Sequence, residues 1–267
     1  MNTRNITPNF PIWLKVSCYF LIIIAAAYIA SIYPMLDSLF YYFAIAMLLS
    51  YIMLRQERKS LFSLGFKPEN TKDWKHFFSG IGIGFLALSL TAGITILLNK
   101  GSLQFSGKVD VVYIQVLILI HFWSSFVQEF TYRGYPFQSM LKVYGPWTAQ
   151  LVIIVPFAIM HLKLNTHITL NQFLMTLLTT GLGSILYGLC YIKTGKLLLS
   201  IGVHMGWNVA QALIPRSPEQ NKTALFNLIQ DPDSYKPINV LIPYLVVAVV
   251  MIVTVSSWKP HVNKIKY

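Results

Sequence analysis

Six polar residues lie within or at the edges of strongly apolar stretches of this chain: Gln128, Glu129, Arg133, His161, His204 and Asn208. In lipid such side chains are costly, and they mark a functional site by default. Glu129 is the only acidic residue between Asp110 and Glu219. Glu129 and Arg133 are four positions apart, as are His204 and Asn208, so each pair shares one face of a helix. A carboxylate, two imidazoles and a side-chain amide are the parts needed to hydrolyse a peptide bond. The carboxylate, helped by one histidine, takes a proton from water as general base. A second histidine and an asparagine donate hydrogen bonds to the oxyanion that develops on the attacked carbonyl. Glu129, His161 and His204 would equally serve as a zinc set, because zinc takes His and carboxylate ligands and leaves one position open for water. These residue types leave both mechanisms open.

The elements that must position them are membrane helices. Hydrophobic residues make up 55% of the chain and charged residues 11%, with a mean hydropathy of +0.57, against about 25% charged in soluble domains. Apolar runs extend from Val16 to Tyr33, Leu39 to Leu54, Phe77 to Leu98, Val111 to Val127, Trp147 to Met160, Phe173 to Ile192, Leu197 to Leu213 and Val240 to Val255. Most have the ~17–25 residues that span a hydrocarbon core, and the second and fifth are short. The expectation is eight transmembrane helices, or seven if a short run is re-entrant. The first run follows a polar stub without a small-residue cleavage site, so it is expected to be retained. Cys18 and Cys190 both fall in apolar runs, which suits inert core residues better than a disulfide or a structural zinc site. No repeat relates the front half to the back half, where nearly all the polar site residues lie.

A net charge of +12 does not call for nucleic acid here, because in a membrane protein the distribution of Lys and Arg carries the meaning. With both termini inside, the inner segments hold Arg4, Lys15, Arg55, Arg58, Lys59, Lys67, Lys72, Lys75, Arg133, Lys142, Lys193, Lys196, Lys259, Lys264 and Lys266. The outer ones hold Lys100, Lys108, Lys163, Arg216, Lys222 and Lys236. Fifteen against six supports an N-in, C-in chain, whose basic inner face would also attract anionic lipid. Arg55 to His76 is then the main inner loop and Pro215 to Pro237 the main outer one.

The turn Tyr144-Gly145-Pro146 is a helix stop and restart signal. Glu129 lies sixteen residues before Gly145 and His161 sixteen after it. If the fourth helix runs on to about Leu141, a hairpin folded at Gly145 sets Glu129 and His161 at one depth, with a kink expected near Gly134 and Pro136.

Gln128-Glu129-Phe130-Thr131-Tyr132-Arg133, Phe157-Ala158-Ile159-Met160-His161 and His204-Met205-Gly206-Trp207-Asn208 resemble, in order, the motifs EExxxR, FxxxH and HxxxN of the CAAX protease and bacteriocin-processing family of intramembrane endopeptidases. The resemblance covers about Val111 to Leu213. It implies an all-helical core of about eight helices that cleaves peptides or prenylated proteins near the cytoplasmic face. It also implies that the motif's Glu pair and His161 activate water, that Arg133 organises the Glu pair, and that His204 and Asn208 form the oxyanion hole. Family members have been called metalloproteases, and a metal-free glutamate mechanism fits the motifs as well. One position departs from the pattern: the first glutamate, expected to be the base, is Gln128 here, and a glutamine cannot accept the proton.

Plainer readings exist for each residue. Glu129 with Arg133 is also what a structural ion pair between helices looks like, a lone His161 or His204 is what a hydrogen-bonded core histidine looks like, and Asn208 suits interhelical hydrogen bonding. His121 falls on nearly the same face as Gln128 without motif support. His76, His167 and His261 lie at span edges or in loops, and Trp13, Trp74, Trp147 and Trp258 read as an interfacial belt.

The expectation is thus an all-α polytopic membrane protein, a single domain over residues 1–267 with a motif core at 111–213 and an intramembrane polar cavity. Its expected activity is that of an intramembrane endopeptidase in a bacterial cytoplasmic membrane, acting on a membrane-associated peptide or protein that can be lipidated, with zinc left open as a cofactor. The alternative set by Gln128 is a catalytically silent membrane scaffold or peptide-binding protein, with a transporter a distant third.

Overall fold

The computed structural model describes residues 10–107, 109–218, 223 and 225–259. Arg4, Lys108, Glu219, Lys222, His261, Lys264 and Lys266 lie outside them. Each apolar run forms an α-helix: α1 (Ile12–Ile32), α2 (Leu39–Gln56), α3 (Thr71–Leu98), α4 (Val111–Arg133), α5 (Tyr135–Ile159), α6 (Leu170–Thr194), α7 (Leu198–Leu213) and α8 (Ile238–Ser257). Four of these helix starts follow side-chain caps. Ser38, Asn70 and Asp110 accept from the backbone N–H three residues on, and Thr169 with Gln172 forms a capping box.

Six helical stretches are long and apolar enough to cross a membrane: α1, α2, α3, the combined stretch Val111–Ile159, α6 and α8. The 16 residues of α7 cover ~24 Å at 1.5 Å per residue, short of a ~30 Å hydrocarbon core. Large apolar side chains point outward along the helices, among them Leu21, Leu86, Leu119, Leu151 and Val250. One hydrophobic cluster joins residues of every helix inside. This is the surface expected of a bundle solvated by lipid. Cys190 is buried as expected, whereas Cys18 is exposed on α1 and is therefore no core residue.

The continuation of α4 to Leu141 does not occur. Gly134 ends α4, its N–H reaching Phe130 O at 3.1 Å, and Pro136 sits in the first turn of the next helix. A Cβ on Gly134 would lie 2.2 Å from Phe130 O, so the break needs glycine. The stretch 135–144 is a separate helical arm. At Gly145 the backbone takes φ +82° and ψ 176°, a conformation that favours glycine, and Pro146 starts the second arm over 146–159. The turn is where the Gly-Pro pair put it.

Two short strands, β1 (Ser102–Phe105) and β2 (Phe226–Ile229), pair antiparallel with Ser102 opposite Ile229; nothing in the apolar pattern announced them. They bring the segments after α3 and α7 to one end of the bundle, where Ser234 Oγ also donates to Asn99 O at 2.8 Å. At the other end Leu197 N–H donates to Gly65 O at 3.0 Å, Lys196 pairs with Glu69 at 2.6 Å and Tyr135 OH donates to Glu57 Oε1 at 2.9 Å.

The centre of the bundle is α7, whose residues from Leu198 to Gly206 are all buried. It runs parallel to α3, and the two backbones nearly touch. Cβ atoms built on Gly84, Gly202 and Gly206 would fall 2.1 Å from Val203 O, 2.2 Å from Phe77 O and 2.1 Å from Ile81 O, respectively. Gly80 and Gly84 on α3 face Gly202 and Gly206 on α7, each pair four residues apart. This is the small-residue spacing that lets membrane helices pack closely.

Candidate active site

Glu129, on the last turn but one of α4, is fully buried and is the hub of the site. Its Oε1 lies 2.8 Å from His204 Nδ1 on α7 and 3.5 Å from Arg133 Nη1 one turn further along α4. A carboxylate only accepts, so His204 donates through Nδ1 and its Nε2 is left for other work. Arg133, also fully buried, donates through Nη2 to Ser184 O and Ser184 Oγ on α6, both at 2.9 Å. Its guanidinium lies 4.6 Å from the Phe157 ring centroid and 5.3 Å from that of Tyr187, within cation–π range. Tyr187 in turn stacks on His204 at 4.5 Å and 11°. Four helices meet in one charged cluster. Breaking such a buried pair costs about 3–5 kcal/mol because the remaining charge is left unpaired.

His161 is placed differently from the rest. It lies in the turn just after α5 rather than inside a helix, and its residue is exposed. Its Nδ1 is 2.7 Å from Phe157 O. A carbonyl can only accept, so Nδ1 carries the proton and a neutral His161 presents Nε2 as a bare acceptor. Phe157 is level with Arg133 through their cation–π contact. One turn back on α4 is Glu129, and one turn forward from Phe157 is His161, so the antiparallel pair stands at similar depth. His161 and His204 are near enough to interact electrostatically, as are His121 and His204.

Gln128 is half-buried; its Nε2 donates to Ser124 Oγ at 3.1 Å, and its Oε1 has no hydrogen-bond partner. Ser125 Oγ and Glu129 Oε2 are likewise buried without partners. Three orphaned polar atoms within little more than one turn of α4 would each cost ~1–3 kcal/mol in a dry core. They are acceptors suited to water or to a peptide group. Asn208, one turn beyond His204, is half-buried on the same face of α7.

Among the described residues no three His, Cys, Asp or Glu side chains are grouped to hold a metal ion; His204 and His161 each engage Nδ1 within the protein and would have Nε2 to offer one. Sequence reasoning missed Ser184 and Tyr187, which hold Arg133 and His204 from α6. Neither belongs to a motif, and no local signal distinguishes them. The glycine pairs were visible in the sequence but had no partner helix until the fold supplied one.

The fold and this cluster define an all-helical integral membrane protein with a buried ionic centre. Residues 110–210 match the Rce1-like family, described as type II CAAX prenyl endopeptidase Rce1-like, in agreement with the resemblance carried by the three motifs. The matched stretch runs from the N-cap of α4 almost to the end of α7 and contains all six candidate site residues. No curated protein and no solved structure matches the chain.

Proposed function

We propose that the chain is an intramembrane endopeptidase of the CAAX-processing type. The observation that carries this reading is the 2.8 Å contact of His204 Nδ1 with Glu129 Oε1, because it joins the first and third motifs in space and leaves His204 Nε2 available. His161 Nε2 takes a proton from water, which Gln128 Oε1 orients by accepting its second hydrogen, and the hydroxide adds to the peptide carbonyl carbon. His204, when protonated, donates through Nε2 to the oxyanion, with Glu129 as counter-ion and the Asn208 amide as second donor. Collapse breaks the C–N bond as His161 returns its proton to the leaving amine. The substrate is a membrane-associated peptide or protein, lipidated in the CAAX case, and the bilayer is the only other partner the reading needs. In this reading residues 1–267 act as one membrane domain around the 111–213 core. Gln128 favours the silent scaffold as a second reading, since it lacks the basicity that the motif's glutamate would bring.

The test is hydrolysis of an S-farnesylated CAAX-form peptide by purified protein in proteoliposomes. His204→Gln should lower turnover by about 100-fold, as loss of an oxyanion donor does, with peptide binding retained. Unchanged turnover would remove His204 from the chemistry. Orientation in a bacterial cytoplasmic membrane with both termini inside is part of the proposal and rests on the fifteen-to-six Lys and Arg bias. Cysteine labelling with an impermeant reagent in intact cells should mark positions introduced in 225–237 and spare those in 57–70. The reverse pattern would invert the protein.

A further inference from the structure

The end of the bundle where Tyr135 meets Glu57 also holds a cavity of about 750 Å³, within the ~300–1,000 Å³ typical of small-ligand sites. Its walls come from the start of α1, the end of α2 and the first arm of α5. Lys15, Lys59 and Lys142 line it, and among the described residues Glu57 is its only carboxylate. That carboxylate is already engaged. Its Oε2 accepts from Lys59 Nζ at 2.6 Å and its Oε1 from the Tyr135 hydroxyl at 2.9 Å. Lys15, half-buried near the start of α1, acts on Glu57 only through space. Neither Lys15 nor Lys142 belongs to an ion pair among the described residues. Two ammonium charges are left without a partner. Much of the remaining lining is apolar, with Ile12, Leu54, Leu64, Leu141 and Val143. Gln138 is held in the wall, because its Nε2 donates to Leu64 O and Arg133 O at 2.9 and 3.0 Å.

Lys15 lies in the first turns of α1 and Glu57 caps the end of α2, so the cavity stands at the membrane boundary, where lipid headgroups are. Lysine binds phosphate as a point charge, and basic pockets between membrane helices hold anionic headgroups. A soluble anion would leave the apolar wall wet, whereas an amphiphile covers it while its head meets the lysines. We propose that this cavity binds an anionic phospholipid, its phosphodiester between Lys15 and Lys142 and its glycerol and first methylenes against Ile12, Leu54, Leu141 and Val143. A zwitterionic lipid fits less well, because it brings its own cation beside the phosphate and leaves a lysine charge unanswered. The site does not depend on the endopeptidase reading.

The experiment titrates the full chain in detergent micelles with phosphatidylglycerol or phosphatidylcholine and reads the bound lipid by native mass spectrometry. Phosphatidylglycerol should bind about 25-fold more tightly, at about fivefold for each of the two lysines. Lys15→Gln and Lys142→Gln should each lower its affinity about fivefold and the double variant should erase the preference, with phosphatidylcholine held within about twofold throughout. Replacing both lysines by arginine keeps the charges, so that variant should keep the preference. Lys67 and Lys72 supply the control, since they lie toward the same end of the bundle but outside the cavity lining. Lys67→Gln with Lys72→Gln should leave the preference in place. Equal binding of the two lipids in the natural chain overturns the site. So does an equal loss in the Lys67 and Lys72 variant, which would reduce the effect to diffuse attraction by a basic surface. Loss of the preference in the double arginine variant overturns it as well, because charge would then not be what selects the lipid. Displacement of phosphatidylglycerol by an equimolar amount of water-soluble glycerol phosphate would identify a soluble phosphate ester as the ligand and refute the lipid.

Discussion

Replacing Gln128 by glutamate raises peptide cleavage by at least ~100-fold, the usual scale of general-base catalysis. Gln128 already stands on α4 beside Glu129, donates to Ser124 Oγ at 3.1 Å and leaves Oε1 buried without a partner. A glutamate there keeps the shape and adds a proton acceptor at the atom to which the proposed mechanism gives only the orienting of water. The expected effect is on turnover rather than on binding, measured as initial rates in proteoliposomes with the farnesylated peptide. Adding His161→Ala to Gln128→Glu should abolish the gain, because the bare Nε2 that Phe157 O enforces on His161 is then lost. An opposite pattern is easy to recognise. Should Gln128→Glu change nothing, and Glu129→Ala remove an activity that the natural chain already has, then Glu129 through its free Oε2 is the base and the roles of the neighbouring positions are exchanged.

The second large effect is expected at a residue that carries no titrating group. A methyl on Gly84 meets the Val203 carbonyl oxygen at 2.1 Å and the Trp207 nitrogen at 2.8 Å. Both are backbone atoms of α7, so no side chain can swing aside, and α3 and α7 must separate by about 1 Å to reach contact distance. His204 follows Val203 directly and moves with it, which disturbs its 2.8 Å contact with Glu129. Misplacement by ~1 Å at a reacting centre costs on the order of 100-fold, so Gly84→Ala, made in the Gln128→Glu background, should lose most of the gained activity and unfold at lower temperature in detergent. Gly82 is the matched control. It lies on the same helix with nothing within 4 Å of an added Cβ, and Gly82→Ala should leave rate and stability nearly unchanged or slightly improved. Equal behaviour of the two variants would show that the close α3–α7 approach does not hold the site.

The sequence by itself determined the membrane class, because an apolar run of sufficient length has few other stable solutions. It also determined local partners: four-residue spacing put Arg133 beside Glu129 and Asn208 beside His204, since helical periodicity is a property of the chain alone. The Gly145-Pro146 turn was legible for the same reason, as only glycine takes that backbone conformation freely. What the tertiary structure decided is which atoms meet across helices. The sequence paired Glu129 with His161 by their equal distance from Gly145, but the fold gives Glu129 Oε1 to His204 and turns His161 onto Phe157 O. The kink expected near Gly134 and Pro136 became a full break, while the strand pair closing one end and the support from Ser184 and Tyr187 were hidden in the same way. Each depends on the rotation and crossing of helices far apart in the chain, where one residue's step of about 100° changes the facing side chain. Those rotations are set by small residues such as Gly84 and Gly206, whose effect is a close approach that exists only once the partner helix is in place.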